Sequence, residues 1–156
     1  MKRHIHRRWW FILLEALLIL SLCLAAVLST TTILQESLIR LICAGNPGVK
    51  PSDYDTLTTH VSTLGKDLSY DSRFPMGTLD LYSAESDEPQ PLIVYAHGGY
   101  YVGDDKADFT YYCQTLASYG YVVANINYQL APEGRYPPQI LQINEAISYL
   151  ADHAAQ

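Results

Sequence analysis

A run of twenty residues from Trp9 to Leu28 contains a single charge, Glu15, and restricts how the chain can fold. At ~1.5 Å per residue, a helix of this length is about 30 Å long, which matches the apolar thickness of a bilayer. Trp9 and Trp10 lie at one end of the run, where membrane-interface aromatic residues belong. The run therefore predicts a transmembrane helix over residues 9–28, and the rest of the 156 residues suffices for one folded domain at most.

The residues before this run set its expected orientation. Residues 1–8 form a basic tail, with Lys2, Arg3, Arg7 and Arg8 and no acidic residue. Such a start suits an uncleaved signal-anchor or a cleaved signal peptide. The run is long and no good cleavage site follows it, so we favour the anchor, with the cleaved form as the alternative. Basic residues on this side predict a cytoplasmic N-terminus and a body outside the cell membrane.

The charge and the cysteine content of the residues that follow the predicted membrane helix limit the possible functions of this part of the chain. Because four of the ten basic residues lie in the tail, the remaining chain has six basic residues against sixteen acidic ones. An acidic body argues against nucleic acid as a partner. The three cysteines, Cys23, Cys43 and Cys113, are an odd number without metal-ligand spacing. They predict neither a disulfide framework nor a zinc site.

Residues 29–58 are interpreted as a membrane-proximal helix and a linker. Helical spacing ends at Gly45 and Pro47, which stop helices. Pro51 to Tyr54 is rich in turn residues and reads as the linker. The apolar residues at helical spacing are Ile33, Leu34, Leu38, Leu41 and Ile42.

From residue 59 the pattern changes to short strands and helices. Residues 60–70 and 77–83 alternate apolar and polar residues, which predicts two half-buried strands. Leu92 to Ala96 is a continuous apolar run and is expected to be a parallel strand buried on both faces. Residues 121–128 predict a further buried strand.

Two helices are predicted among these strands. One covers residues 106–119 and is ended by Gly120. The other begins at Pro137 and Pro138 and packs through a stripe of Ile140, Ile143, Ile147 and Leu150. The fold class is therefore α/β, with antiparallel first strands followed by a parallel β-α-β-α arrangement, all preceded by the membrane helix.

Two unusual loops follow the buried strands, where ligands of such sheets bind. "HGGYYVGDDK" comes after Ala96 and "YQLAPEGRYPP" comes after Asn127. With these motifs in this order, the chain resembles the hormone-sensitive-lipase-like and feruloyl-esterase-like branch of the α/β-hydrolases, whose members have an HGGG or HGGxW loop and a YRLAPE segment. The resemblance begins near Leu68 and runs through the last helix. It implies a partial α/β-hydrolase sheet in residues 59–156, a small-molecule ester substrate and no cofactor.

The resemblance also implies roles for the residues of the first loop. The amides of Gly99 and Tyr100 would form the oxyanion hole, Gly98 would allow the bend, and His97 would hold the loop as a structural residue. Tyr100 replaces the third glycine, but any residue except proline offers an amide. Its ring, together with Tyr101, is expected to form an aromatic wall of the substrate pocket.

The catalytic triad of such enzymes is not found in the sequence. No GxSxG occurs, and "LASYG" around Ser118 is interpreted as helix surface. None of His4, His6, His60 and His153 is placed to be a base. Asp104, Asp105 and Asp108 are interpreted as carboxylates at a helix start and not as metal ligands. A further departure is Gln129, which replaces the arginine of YRLAPE.

Two hypotheses follow. The first is the N-terminal part of a membrane-anchored serine carboxylic-ester hydrolase, truncated before the nucleophile elbow and inactive alone. In that case the strand at Leu92 to Ala96 would have an unpaired edge. The second is a non-catalytic, membrane-tethered binding module derived from a hydrolase. A strand and GxSxG beyond Gln156 would favour the first hypothesis.

Overall fold

The computed structural model describes residues 2–43 and 48–154. It divides the chain into two compact units, residues 1–38 and residues 39–156. The elements in chain order are α1 (Lys2–Thr30), α2 (Thr32–Cys43), α3 (Tyr54–Leu57), β1 (Val61–Ser69), β2 (Thr78–Ala84), β3 (Leu92–Ala96), a 3₁₀ turn (Lys106–Phe109), α4 (Thr110–Ala117), β4 (Val122–Ile126) and α5 (Pro138–Asp152).

The first unit is dominated by α1. Every side chain from Trp9 to Thr30 is exposed, although most of these residues are apolar. This stretch of 22 residues is long and apolar enough to cross a membrane, although a signal sequence near the N-terminus meets the same criterion. The following helix, α2, ends at Cys43, and the predicted stop at Gly45 and Pro47 lies outside the described residues.

The second unit is built on a four-stranded sheet in the order β1-β2-β4-β3. The pairs β1/β2 and β2/β4 are antiparallel, and β3/β4 is parallel. This confirms the predicted mixed sheet with antiparallel first strands. In the parallel pair Ala96 lies opposite Ile126, so β3 and β4 end side by side. The loops that follow these two strands therefore begin at the same end of the sheet.

Helices cover both faces of the sheet, and β4 contributes to both layers. Val123 belongs to the cluster that includes Cys113 and Ala117 of α4. Ala124 and Ile126 belong to the cluster that includes Ala146 and Leu150 of α5. Alternate side chains of β4 thus point to opposite helical layers, as the strand period of two requires.

The expectation that Leu92–Ala96 is buried on both faces was wrong. β3 lies at the edge of the sheet, and no described strand pairs with its outer side. Leu92 is 45% exposed, and the strand's other side chains are half-buried or exposed. β2 was expected to be half-buried and is almost fully buried, because it lies between β1 and β4. The apolar run of β3 correctly predicted a parallel strand. It did not show that this strand lies at the edge of the sheet.

The predicted stripe of α5 was right for Ile143 and Leu150, which pack on the core, and wrong for Ile140 and Ile147. Ile147 is 48% exposed and Ile140 is exposed as well, whereas Leu150 faces the core as expected. Two glutamines, Gln139 and Gln142, are buried in their place. Their amides bond the loop before the helix: Gln139 donates to the carbonyl of Gly134, and Gln142 Oε1 accepts from the amide of Gln129 at 2.7 Å. The loop therefore sets the rotation of α5.

Two smaller differences concern the helices. The helix predicted over residues 106–119 is a 3₁₀ turn followed by α4, and Gly120, at φ 89°, ends it as expected. The short helix α3 lies in a stretch that was interpreted as linker. Its C-cap residue, Thr58, donates its amide to the carbonyl of Tyr54.

Candidate active site

The first loop begins at a buried histidine that follows β3. His97 is 3% exposed and stacks on Tyr128, with 4.5 Å between ring centroids and 13° between planes. Its Nδ1 lies 2.9 Å from the carbonyl oxygen of Gly98. Because a carbonyl only accepts, Nδ1 carries the hydrogen. Burial lowers the pKa of His97 below 6.5, so the ring is neutral near pH 7.

The next residues make a turn in which one position, Gly99, can be occupied only by glycine. Gly99 has φ 94°, and its carbonyl accepts from the amides of Val102 and Gly103, each at 3.0 Å. A Cβ on Gly99 would lie 2.3 Å from the carbonyl oxygen of Gly103, which is closer than real contacts allow. A Cβ on Gly98 would meet nothing within 4 Å. The loop therefore requires glycine at position 99 for both φ and space, and does not require it at 98 for space.

Tyr100 and Tyr101 continue the turn in the left-handed region, with φ of 56° and 63°. This conformation costs a non-glycine residue roughly 1–2 kcal/mol, which explains why glycine suits position 100 in related loops. Both rings are exposed, Tyr100 by 77%. The amides of Gly99 and Tyr100 donate to no other described residue. Two consecutive backbone donors thus lie without a partner in the described part of the chain, beside the end of β3.

The second loop, residues 127–136, holds the first through backbone groups. Tyr128 Oη donates to the carbonyls of His97 at 2.6 Å and Gly98 at 3.0 Å. Burial raises the pKa of Tyr128 to about 12, so the hydroxyl remains a donor. The amide of Ala131 donates to the carbonyl of Tyr101 at 2.8 Å. The two loops predicted from the sequence therefore lie together.

Gln129, which stands where the related motif has arginine, is 9% exposed, and its Oε1 has no partner among the described residues. A Cβ on Gly134 would lie 2.6 Å from Cγ of Gln129. The side chain therefore packs closely against the turn at Gly134 and takes no part in holding the first loop.

Sequence reasoning missed the anchor at the far end of the first loop. Lys106 is 4% exposed, and its Nζ lies 2.5 Å from Asp80 and 2.7 Å from Asp67. Burial alone would lower its pKa, but the hydrogen bonds to Asp67 and Asp80 outweigh burial and raise it. Its backbone is bonded too: the amide donates to Asn127 Oδ1 and the carbonyl accepts from Asn125 Nδ2, both at 2.7 Å.

A signal for this anchor was present in the sequence. Asp80 interrupts the apolar residues of β2, and Asn125 does the same in β4. Polar side chains inside buried strands need partners, because an unpaired buried polar group is costly. The partner of both residues is Lys106, through its ammonium group and its carbonyl.

The carboxylates after Gly103 cap the 3₁₀ turn. Asp105 Oδ1 accepts from the amide of Ala107 at 2.9 Å, and Asp108 Oδ2 accepts from the amide of Asp105 at 3.0 Å. Asp105 Oδ2 also accepts from Asn127 Nδ2 at 2.8 Å. These carboxylates have local partners, in keeping with their interpretation as residues of a helix start.

A cleft of about 420 Å³ opens beside this anchor, on the α4 face of the sheet. Its polar lining includes Asp67, Asp80 and Lys106, whereas neither Gly99 nor Tyr100 lines it. The cleft is therefore separate from the two unpartnered amides.

The described residues do not assemble a serine-histidine pair. Ser118 Oγ donates to the carbonyl of Thr115 at 2.7 Å, at the end of α4. His60 Nε2 lies 3.2 Å from the carbonyl oxygen of Ser118, not from its hydroxyl. His153 is exposed and bonds the carbonyl of Tyr149. The side chains of His4 and His6 lie outside the described residues.

A mixed sheet with helices on both faces is the architecture of an α/β fold, and the glycine turn after its parallel edge strand agrees with the α/β-hydrolase class. The BD-FAE family model matches residues 79–156, which is half of the chain. The chain belongs to the BD-FAE family.

Other comparisons agree with this class. Kynurenine formamidase of Danio rerio is 31% identical over 70 residues, which are 44% of this chain and 24% of that protein. Esterase B of Lactobacillus rhamnosis, in a structure with a tributyrin phosphonate, is 25% identical with a TM-score of 0.57, over 88% of this chain and 40% of that chain. A bacterial heroin esterase, 23% identical with a TM-score of 0.54, shares the fold over 83% of this chain and 38% of its own. The chain thus spans less than half the length of these relatives.

Proposed function

We propose that the chain is the N-terminal part of a membrane-anchored serine carboxylic-ester hydrolase and that it supplies the oxyanion hole. The supporting observation is the turn at Gly99 and Tyr100, whose amides donate to no other described residue. When a nucleophile attacks an ester, the carbonyl oxygen becomes an oxyanion, and donors fixed in advance stabilise it. Losing one such donor costs roughly 3–4 kcal/mol of transition-state stabilisation.

The neighbouring residues have supporting roles in this proposal. His97, neutral and stacked on Tyr128, holds the turn and does not act as a base. Gly98 joins the strand to the turn in open space that would also admit an alanine, and the bend itself begins at Gly99. Tyr101 and Tyr100 present exposed rings beside the amides and form an aromatic wall for the acyl or alcohol group of the substrate. The substrate class is a small-molecule ester, and hydrolysis through a serine needs no cofactor.

The nucleophile, the acid and the base are expected in sequence that follows Gln156. A strand followed by a GxSxG elbow would come within about the next dozen residues after Gln156. The test is to read the gene beyond Gln156 and to assay both versions with p-nitrophenyl esters. We expect the longer version to hydrolyse them and the 156-residue chain to match a buffer control. Turnover by the short chain that a serine-directed phosphonate blocks would show that a serine had been missed.

The domain organisation in this proposal is a basic cytoplasmic tail (1–8), a signal-anchor (9–28), a membrane-proximal helix and linker (29–58) and an extracytoplasmic hydrolase part (59–156). Cys113 cannot report the topology, because it is fully buried and burial raises the pKa of its thiol to about 12. An introduced cysteine at the exposed Asp87 should instead react with an impermeant maleimide in intact cells.

The matched control places a cysteine at His4, which should react only after lysis. Labelling of His4→Cys alone in intact cells would reverse the orientation. A mature N-terminus near Thr30 would show that the segment is cleaved.

A further inference from the structure

One contact joins both loops of the candidate site to a helix that lies outside them. Arg40 of α2, in the unit of residues 39–156, donates from Nε to the carbonyl of Val102 at 2.7 Å. It donates from Nη2 to the carbonyl of Ala131 at 2.6 Å. The planar guanidinium thus reaches one carbonyl in each loop at once, which an ammonium group cannot do with the same geometry.

One of the two accepting carbonyls, that of Val102, begins a hydrogen-bond chain that ends at the carbonyl oxygen of Gly99. The carbonyl of Val102 shares a peptide unit with the amide of Gly103, which donates to the carbonyl of Gly99 at 3.0 Å. The amide of Ala131 donates to the carbonyl of Tyr101, and that peptide unit carries the amide of Val102, which also donates to the carbonyl of Gly99. The Ala131 carbonyl bonded by Arg40 shares its peptide unit with Pro132, which has no N–H, so Arg40 bears on this second set of bonds only by fixing the position of residue 131, and the chain that links Arg40 to the oxygen of Gly99 runs through Val102 and Gly103.

The carbonyl of Gly99 is one half of the peptide unit whose other half is the amide of Tyr100. Hydrogen bonds in a chain polarise one another, and drawing electron density to the carbonyl oxygen makes the amide of the same peptide a better donor. A cation at the outer end of the chain adds to this effect. The residue at the outer end is Arg40.

We propose that Arg40 is a positioning residue for the oxyanion-hole donors: it clamps the two loops together through the carbonyls of Val102 and Ala131 and, through the Val102–Gly103 peptide, polarises the Gly99–Tyr100 peptide. The proposal rests on the proposed function for its catalytic consequence, but the clamp itself does not depend on any chemistry. A helix-docking role alone would require only that the side chain at position 40 fill space.

The first experiment measures amide hydrogen exchange in the full chain in detergent micelles. Arg40→Met keeps a flexible, unbranched apolar stem and removes the guanidinium donors. We expect exchange of the amides of Val102, Gly103 and Ala131 to become about tenfold faster or more, since each lies in the clamped chains. Arg40→Lys should be intermediate, and amides of β4 should be unchanged.

The matched control is Lys50→Met, which removes a cation from an exposed position outside both loops. It should leave all these amides unchanged. Exchange in Arg40→Met that equals the parent's in both loops, or that rises equally in β4, would overturn the clamp. Should Arg40→Met not fold, Arg40→Lys decides in the same way.

The second experiment separates positioning from docking in a version of the protein that hydrolyses esters. Arg40→Met should lower kcat by about tenfold with little change in KM, and Arg40→Lys should recover part of the loss. An unchanged kcat in that version would refute the catalytic role and leave ester hydrolysis standing. If no version hydrolyses esters, the proposed function fails, and the exchange experiment still decides whether Arg40 clamps the loops.

Discussion

The turn at residues 99–104 and the segment at residues 105–109 are neighbours in the chain but keep their shapes in different ways. The turn has positive φ at four of six positions: Gly99, Tyr100, Tyr101 and Asp104. The segment after it is fixed by the capping box of Asp105 and Asp108 and by the buried side chain of Lys106. A conformation that is unfavourable by itself is thus held from its ends, at His97 and Lys106.

Anchors outside the turn explain how tyrosine is accommodated where related loops have glycine. Strain at Tyr100 and Tyr101 persists because the surrounding contacts determine the path of the chain. Those contacts come from Tyr128, Ala131 and the sheet residues around Lys106. Weakening an anchor should therefore harm the molecule more than changing the strained residues themselves.

Breaking the Lys106 anchor should have the largest effect. Lys106→Met would leave Asp80, which is 2% exposed, as an uncompensated buried charge. Removing one partner of a buried ion pair typically costs about 3–5 kcal/mol. We expect the free energy of unfolding to fall by this amount in urea titrations followed by circular dichroism. Lys106→Met with Asp80→Leu should recover part of the loss, since neither buried charge is then unpaired.

The control for this anchor is Lys50→Met, which breaks the exposed pair with Asp55 and should unfold like the parent. Equal losses in Lys50→Met and Lys106→Met would mean that burial at Lys106 contributes nothing, and the comparison between the two segments would fail.

Substitution of the turn glycine should have the next largest effect. Gly99→Ala places a Cβ 2.3 Å from the carbonyl oxygen of Gly103 at φ 94°. Strain and overpacking together should destabilise the chain by about 2–4 kcal/mol. Gly98→Ala, with open space around its Cβ, is the matched control and should cost less than about 1 kcal/mol.

In a version that hydrolyses esters, Gly99→Ala should lower kcat by roughly 10²–10³. A stable Gly99→Ala chain with normal kcat would remove the turn from the proposed site.

Sequence reasoning located the strands to within a residue or two, because alternation and apolar runs are local properties. It also placed the HGG loop and the second loop at one end of the sheet, since parallel strands end together. It failed for Ile140 and Ile147 of α5, which are exposed while Gln139 and Gln142 are buried. Their partners, Gly134 and Gln129, lie in a loop whose path the helical period does not encode.

The site was predictable only in part for the same reason. The positions of His97, Gly98 and Gly99 follow from a motif within the chain. Lys106 and Arg40 act through residues distant in sequence, such as Asp80 and Ala131, and no local pattern joins them. Roles assigned to Gly99 and Tyr100 stay predictions until the oxyanion donors are tested.

The histidine anchor should make stability depend on pH. Burial lowers the pKa of His97 below 6.5, so the unfolded chain binds a proton at a higher pH than the native chain. The stabilisation is complete above pH 6.5 and is lost as the pH falls through that value towards the lowered pKa. One proton gives a slope of at most about 1.4 kcal/mol per pH unit.

Urea titrations between about pH 7.5 and about pH 5 should show this slope in the parent and in His153→Gln, but not in His97→Gln. Asp67 and Asp71 do not interfere, because hydrogen bonds from Lys106 and Arg73 hold their pKa values below 3.8, and their contributions are lost only at still lower pH. An identical slope in His97→Gln would assign the effect to another group.

Relief of strain at Tyr100 should have the smallest effect, and its sign is informative. Tyr100→Gly removes backbone strain of roughly 1–2 kcal/mol at φ 56°. Glycine also raises the conformational entropy of the unfolded chain, which lowers the free energy of unfolding by about 0.4–1 kcal/mol. We expect a net gain in the free energy of unfolding of less than about 1 kcal/mol. Tyr119→Gly, at an exposed tyrosine without positive φ, is the matched control and should destabilise the chain.

Because glycine keeps the amide, an ester-hydrolysing version should retain most of its kcat and change its preference among acyl or alcohol groups. If Tyr100→Gly destabilises the chain as much as Tyr119→Gly, the tyrosine ring stabilises the turn, and the anchors alone do not explain its shape.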